Sequence, residues 1–383
     1  MQLDEIKSRE KGLFLINNII TQKGVESIID LTGLAGGFNI TPEDITYLET
    51  YAGPAIFDEK IQELGKEHMG GEKVLPLNRT SSGIVATILT IVKPGTKIIH
   101  YLPKKPGHPS IQTAAQIVGA DYEEYTDIND MNFDDNVSLV VITGTTMDYE
   151  VIDVEEFKKV ITKSKEYDIT VFVDDASGAR LRRVAYNQPT AIDLGADLSV
   201  TSTDKLMEGP RGGLMVGSEE SINKIKLTVN KLGLEAQPPL VAGMVRGLEK
   251  YTPERIQNAF KQKDELNKKL KDNGLNPLPT PTGFMFKKEE IFNEVTKRGV
   301  KTDISDYIIA TLYSMLLLKN YNIITIPAVG MPKASRTIRI DWSSKHSEKL
   351  TMDELVDAIN NTFDKVVETI ENNAVEEELY NII

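Results

Sequence analysis

Ala196-Asp197-Leu198-Ser199-Val200-Thr201-Ser202-Thr203-Asp204-Lys205-Leu206-Met207-Glu208-Gly209-Pro210-Arg211-Gly212-Gly213 runs from an apolar strand into small hydroxyl residues, then one lysine, then a glycine-rich turn. That order suits covalent capture of a carbonyl compound. The lysine amine reaches the carbonyl carbon, the hydroxyls ahead of it bond an anionic group, and the glycines let backbone pass close to a flat ligand. A lysine used in this way is partly desolvated, so that some of it is free amine. The pattern points to pyridoxal 5'-phosphate held as an imine on Lys205, with Ser202 on the phosphate.

Three further segments supply the remaining contacts. Thr170-Val171-Phe172-Val173-Asp174-Asp175 is a β-branched strand ending in two acids. A carboxylate at the carboxyl end of a buried strand pairs with a protonated pyridine nitrogen and makes the ring an electron sink. Asp174 takes that role, with Asp175 the alternative; an Asx-type turn would explain the same residues without a ligand. Upstream, Asn78-Arg79-Thr80-Ser81-Ser82-Gly83 precedes an apolar helix over 84–92. Free amides at a helix start bind phosphate, so Ser81, Ser82 and Gly83 are phosphate-loop candidates, against ordinary serine N-capping. Pro106-Gly107-His108-Pro109 follows a strand over 97–101 and precedes a helix over 111–118. His108 there can lie on a ring face and relay protons, or simply be a loop histidine; His100 reads as a core-edge strand residue.

Composition narrows the classes. The chain has 383 residues, 40% hydrophobic and 26% charged, and two domains are expected at that length. We expect an N-terminal arm over 1–40, a large cofactor domain over 41–245 and a smaller domain over 246–383. The longest apolar run, 307–318, is too short to span a bilayer and predicts a buried helix. The first residues carry acids and no apolar signal segment, so the expectation is a cytoplasmic protein without a membrane partner. Absence of cysteine excludes disulfides, thiolate metal sites and a cysteine nucleophile. The four histidines form no His-Glu-x-x-His pair, and no metal is expected. A net charge of −13 disfavours polyanions, and tRNA with them. The basic run Arg180-Leu181-Arg182-Arg183 reads as a solvated turn beside the 170–174 strand.

Between residues 80 and 217 apolar strands alternate with helices. That alternation predicts an α/β fold whose mostly parallel sheet is flanked by helices, with ligands beyond the carboxyl ends of the strands. After residue 220 the pattern changes to long polar helices and short strands, a smaller C-terminal α+β domain. Its strand over 336–341 carries Arg339, which could grip a substrate carboxylate in bidentate fashion, with Arg336 the competitor and a surface strand arginine the plain alternative. Arg211 is a second anion-binding candidate.

With the helix-start serines, His108, Asp174 and Lys205 in order, the chain resembles fold-type I pyridoxal phosphate-dependent enzymes. The pattern Asp204-Lys205-Leu206, Gly209-Pro210, Gly212 is similar to bacterial selenocysteine synthase (L-seryl-tRNA selenium transferase), and the chain as a whole to archaeal pyridoxal phosphate-dependent relatives of that enzyme. The resemblance implies a seven-stranded cofactor domain, a small domain, and a homo-oligomer, dimer or higher, with its site at the subunit interface. It implies β-elimination or β-replacement on a serine-like amino acid or derivative; a lyase, aldolase or decarboxylase, or a cofactor-binding protein without turnover, are the other readings. Nothing in the chain matches the tRNA-binding N-terminal domain of the bacterial enzyme, which also argues against a tRNA substrate.

Overall fold

The computed structural model describes residues 3–34, 36–332 and 334–381. It divides into two compact units, one from Leu34 to Pro253 and one formed by the chain up to Gly33 with the residues from Glu254 onward.

The larger unit is built on seven strands, here numbered in chain order: β1 Lys73–Leu77, β2 Lys97–Tyr101, β3 Asp121–Tyr125, β4 Val137–Thr143, β5 Val171–Asp174, β6 Leu198–Ser202 and β7 Gly213–Gly217. Their order across the sheet is β1-β7-β6-β5-β4-β2-β3. The pairs from β3 through β6 are parallel, while β7 runs antiparallel to β6 and β1 antiparallel to β7. The sheet is therefore mostly parallel, as expected from the near-continuous apolar runs of β4 and β5, which are buried on both faces. Helices cover it on both sides. Val154–Glu166 begins at Asp153, whose carboxylate accepts the Glu155 and Glu156 amides at 2.9 and 3.1 Å. It packs Phe157, Val160 and Ile161 onto β4 and β5.

β1 did not announce itself in the sequence. It is an edge strand containing Pro76, tolerated there because no ladder amide is needed on that side. Its outer edge is closed by the Gln62 side chain, which donates to the Val74 carbonyl at 2.7 Å and accepts the Val74 amide at 2.9 Å.

Sheet register sets the site. Thr143 lies opposite Asp174, Asp174 opposite Val200, and Ser202 opposite Gly213, which also pairs with Leu77. The carboxyl ends of β4, β5 and β6, the start of β7 and the end of β1 thus meet at one rim.

In the smaller unit, Ile338–Asp341, Gly283–Phe286 and Leu278–Thr280 form an antiparallel three-stranded sheet in that order. The helix Asp306–Tyr321 is buried from Ile308 through Leu318, which explains its unbroken apolar sequence. Leu355, Ile359, Phe363, Val366 and Ile370 line one side of Met352–Glu371 and pack with Phe284 and Phe286 of the sheet. Among the described residues, no helix is long and apolar enough to cross a membrane.

Candidate functional site

The rim of the larger unit carries Asp174, Lys205, His108 and the start of the helix Thr80–Ile91. Asp174 ends β5 and is buried. Its Oδ1 has no hydrogen-bond partner among the described residues. Burial pushes its pKa up, while the charges of His108 and Lys205 pull the other way and that of Asp175 adds to the rise. Asp175 is differently placed: Arg182 grips it with Nε to Oδ1 at 3.0 Å and Nη2 to Oδ2 at 2.5 Å. A bidentate guanidinium satisfies that carboxylate, so of the two acids it is Asp174 that keeps an oxygen available to a ligand.

Lys205 follows β6 in a tight loop and is half-buried. Thr203 closes this loop, its hydroxyl donating to the Pro210 carbonyl at 2.6 Å and its amide to the Gly212 carbonyl at 3.0 Å. The glycines have a steric purpose. A Cβ on Gly213 would sit 2.7 Å from the Arg79 carbonyl oxygen and 2.8 Å from the Thr80 amide nitrogen, so only a bare backbone lets β7 pass the helix start.

The Thr80 helix begins earlier than the sequence suggested, and Ser81, Ser82 and Gly83 occupy its first turn. Arg79 is the N-cap and no side chain caps the turn, so the serines are not capping residues. Gly83 packs down on the sheet, where a Cβ would meet Leu77 Cδ1 at 2.7 Å. First-turn amides with the positive end of the helix dipole form an anion cradle. Two of the assigned hydroxyls are occupied otherwise: Ser82 donates to Asn78 Oδ1 and Ser202 to Asp204 Oδ1. A hydroxyl that has spent its proton is no donor to a phosphate, so in this structure the cradle consists of backbone amides and Ser81.

His108 is the N-cap of Pro109–Val118, its Nδ1 accepting the Ser110 amide at 3.3 Å. That bond leaves the neutral ring's proton on Nε2. Burial lowers the His108 pKa; the charge of Asp174 raises it, and those of Lys205 and Arg79 lower it further. Three separated segments thus converge electrostatically on one spot.

A buried relay backs the His108 loop. Thr143 Oγ1 is 2.8 Å from His100 Nε2, His100 Nδ1 is 2.7 Å from the Tyr122 hydroxyl, and that hydroxyl donates to Glu124 Oε1 at 2.6 Å. Glu124 Oε1 also accepts the Gly107 amide at 2.9 Å. Because Tyr122 gives its proton to Glu124, it accepts from His100 Nδ1–H, and His100 Nε2 accepts from Thr143. His100 is therefore an interior residue of β2, wholly buried rather than at a core edge, with its pKa pushed down to about 4 by desolvation.

The basic run at 180–183 overturns the expectation of a solvated turn. It lies in the helix Gly178–Tyr186, where Arg180 and Arg182 are 1% and 0% exposed. Arg180 donates from Nε to the Lys205 carbonyl at 2.7 Å and from Nη2 to the Ser202 carbonyl. Arg180, Arg182 and Arg79 are the residues that sequence reasoning passed over; the signal was basic residues immediately beyond a strand end.

Arg211 is largely exposed and pairs with Asp204 at 3.4 Å. Arg339 lies in the smaller unit, buried, with Nη2 donating to the Thr32 carbonyl at 3.0 Å.

This donor set fits pyridoxal 5'-phosphate. The orphaned Asp174 oxygen matches a ring N–H, the uncapped helix turn matches a phosphate, and Lys205 offers an amine on the loop that follows β6. Comparison with known proteins agrees. Residues 273–351 match the UPF0425 C-terminal domain, and residues 134–272 match L-seryl-tRNA selenium transferase. The chain is 68% identical to a UPF0425 pyridoxal phosphate-dependent protein of Methanosphaera stadtmanae over 99% of both chains. It is 46% identical to one of Methanothermobacter thermautotrophicus over 93% of both. Among solved structures it is similar to the SepCysS–SepCysE N-terminal domain complex, with a TM-score of 0.63 and 17% identity over 91% of this chain and 99% of that one; this likeness concerns the fold.

Proposed function

This chain belongs to the UPF0425 family of pyridoxal phosphate-dependent proteins, and on that premise we propose an enzyme that eliminates or replaces a β-substituent of a serine-like amino acid or amino-acid derivative. The observation that carries the reading is the buried Asp174 oxygen without a partner, facing a field set by Lys205 and His108. When bound, the cofactor supplies a sink for the electron pair left at the substrate Cα. Lys205 Nζ would tether the cofactor and would serve as the base for the Cα proton. Asp174 would pair with the ring nitrogen and hold a proton there, through the oxygen that has no partner among the described residues. His108 would lie against the ring and keep it in place. At the helix start the Ser81 amide and hydroxyl would hold the phosphate, on the turn that also carries Ser82 and Gly83, with Ser202 joining if its hydroxyl leaves the Asp204 carboxylate. Carboxylate recognition falls to an arginine, Arg339 or Arg211. The match to a selenium transferase over residues 134–272 favours chemistry at Cβ, and the net charge of −13 favours a small substrate over tRNA. A homo-oligomer is the assembly we propose.

Visible spectra during titration with individual amino acids test this. Serine-like compounds with a β-leaving group are expected to perturb the cofactor band and release the group with pyruvate and ammonia. Carbon dioxide release, or no spectral response to any amino acid, would overturn it.

A further inference from the structure

The lysine loop contains a backbone conformation that something must hold in place. Leu206, directly after Lys205, has φ 57°, in the left-handed region that residues with a Cβ enter only at a cost. The structure assigns that task to Arg180: it is a positioning residue that clamps the Lys205 peptide and keeps the following turn left-handed, so that the lysine amine is presented to the cofactor. This inference rests on the reading of Lys205 as the tether.

Arg180 has a buried guanidinium, and each of its three nitrogens meets acceptors. Nε–H goes to the Lys205 carbonyl at 2.7 Å. Nη2 reaches the Ser202 carbonyl, Thr201 Oγ1 at 3.2 Å and the Ala176 carbonyl at 3.3 Å. Nη1 meets His68 Nε2 at 3.2 Å. One rigid plane thus joins the segment just after Asp174, the end of β6 and the lysine itself. Among the described residues no carboxylate hydrogen-bonds it, and Asp175 is taken by Arg182. Pairing charge is therefore not its purpose, and a lysine cannot replace it, since an ammonium lacks the planar fork that spans these acceptors. His68 completes the cage as an acceptor only. It stays neutral because burial, then the charges of Arg180 and Arg183, push its pKa down to about 3.

If Arg180 enforces the turn, making the turn cheap by other means should relieve its loss. Glycine adopts positive φ freely, whereas alanine does not. Arg180→Lys is expected to raise the cofactor dissociation constant at least tenfold. Adding Leu206→Gly should recover at least threefold of that, while adding Leu206→Ala recovers nothing. If Arg180→Lys fails to fold, single variants still decide: without cofactor, Leu206→Gly should melt at a higher temperature than Leu206→Ala, the order expected only where the turn is strained. Borohydride reduction with pyridoxal phosphate and peptide mapping of the wild-type protein separates the two claims. A label absent from the Lys205 peptide removes the tether reading and this inference with it. A label on Lys205, combined with cofactor affinity in Arg180→Lys within threefold of wild type, equal rescue by alanine, or equal melting of the Leu206 variants, overturns the role of Arg180 alone.

Discussion

Acidification should unlock the larger unit through two buried histidines. Desolvation comes first in both cases, holding His68 down to about 3 and His100 to about 4. In the unfolded chain each titrates near 6.5. Because the folded values are depressed, the contribution is whole above about pH 6.5 and is lost as pH falls from there toward the folded values; below those no further loss occurs. Between pH 7.5 and 5.5 the unfolded chain takes up nearly one proton per histidine that the folded chain refuses. That costs about 1.4 kcal/mol each, roughly 3 kcal/mol for the pair. Asp174, with its raised pKa, runs the opposite way, so the comparison must be made against variants. Urea unfolding followed by far-UV circular dichroism at the two pH values should give wild type a larger loss than His68→Gln or His100→Gln, by about 1.4 kcal/mol each. Nuclear magnetic resonance of the imidazoles supplies the direct check. If the two buried rings titrate near pH 6.5 in the folded protein, or if wild type and the glutamine variants lose stability equally, the reasoning is wrong.

Removing the orphaned carboxylate should separate stability from function: Asp174→Ala is expected to leave the protein without cofactor as stable as wild type or up to about 1 kcal/mol more so, while weakening cofactor binding at least tenfold by absorbance titration. Asp175→Asn should do the reverse in stability, because it strips the charge partner from a guanidinium that is 0% exposed; a loss of about 3–5 kcal/mol in chemical denaturation is expected. Gly83→Ala drives a methyl to 2.7 Å from Leu77 Cδ1 and 2.9 Å from Met215 Cε, costing about 1–3 kcal/mol of strain against about 1 kcal/mol gained in helix propensity. A melting temperature unchanged or raised in that variant would show that the helix start has room to shift.

How far the sequence reveals the site depends on where each partner lies. β4 and β5 were legible because a strand buried on both faces must be apolar throughout, and few other arrangements tolerate such runs. β1 was not, because an edge strand needs fewer apolar residues and can hold Lys73 and Pro76. The helix start at Thr80 was read late, since Ser81 and Ser82 look like caps until the structure shows them inside the first turn. The hardest residues were the arginines. A run of basic residues is ordinarily solvated, and nothing local distinguishes one whose acceptors are carbonyls at the ends of two strands. Yet the arginines decide the assignment of the tandem acids. Both acids end the same strand, and in sequence they are interchangeable candidates for a ring nitrogen. What separates them is Arg182, in the next helix, which satisfies Asp175 and leaves Asp174 with an open oxygen. Arg180, two residues earlier and facing the β6 end, fixes the carbonyl of Lys205 instead. One short helix therefore differentiates the acids through Arg182 and positions the amine through Arg180, and the two contacts are separable. The double variant Arg182→Leu with Asp175→Leu tests that division. Replacing a buried ion pair by apolar volume is close to neutral in stability. Cofactor affinity should then persist with Asp174 intact, and its loss would return the ring-nitrogen role to Asp175.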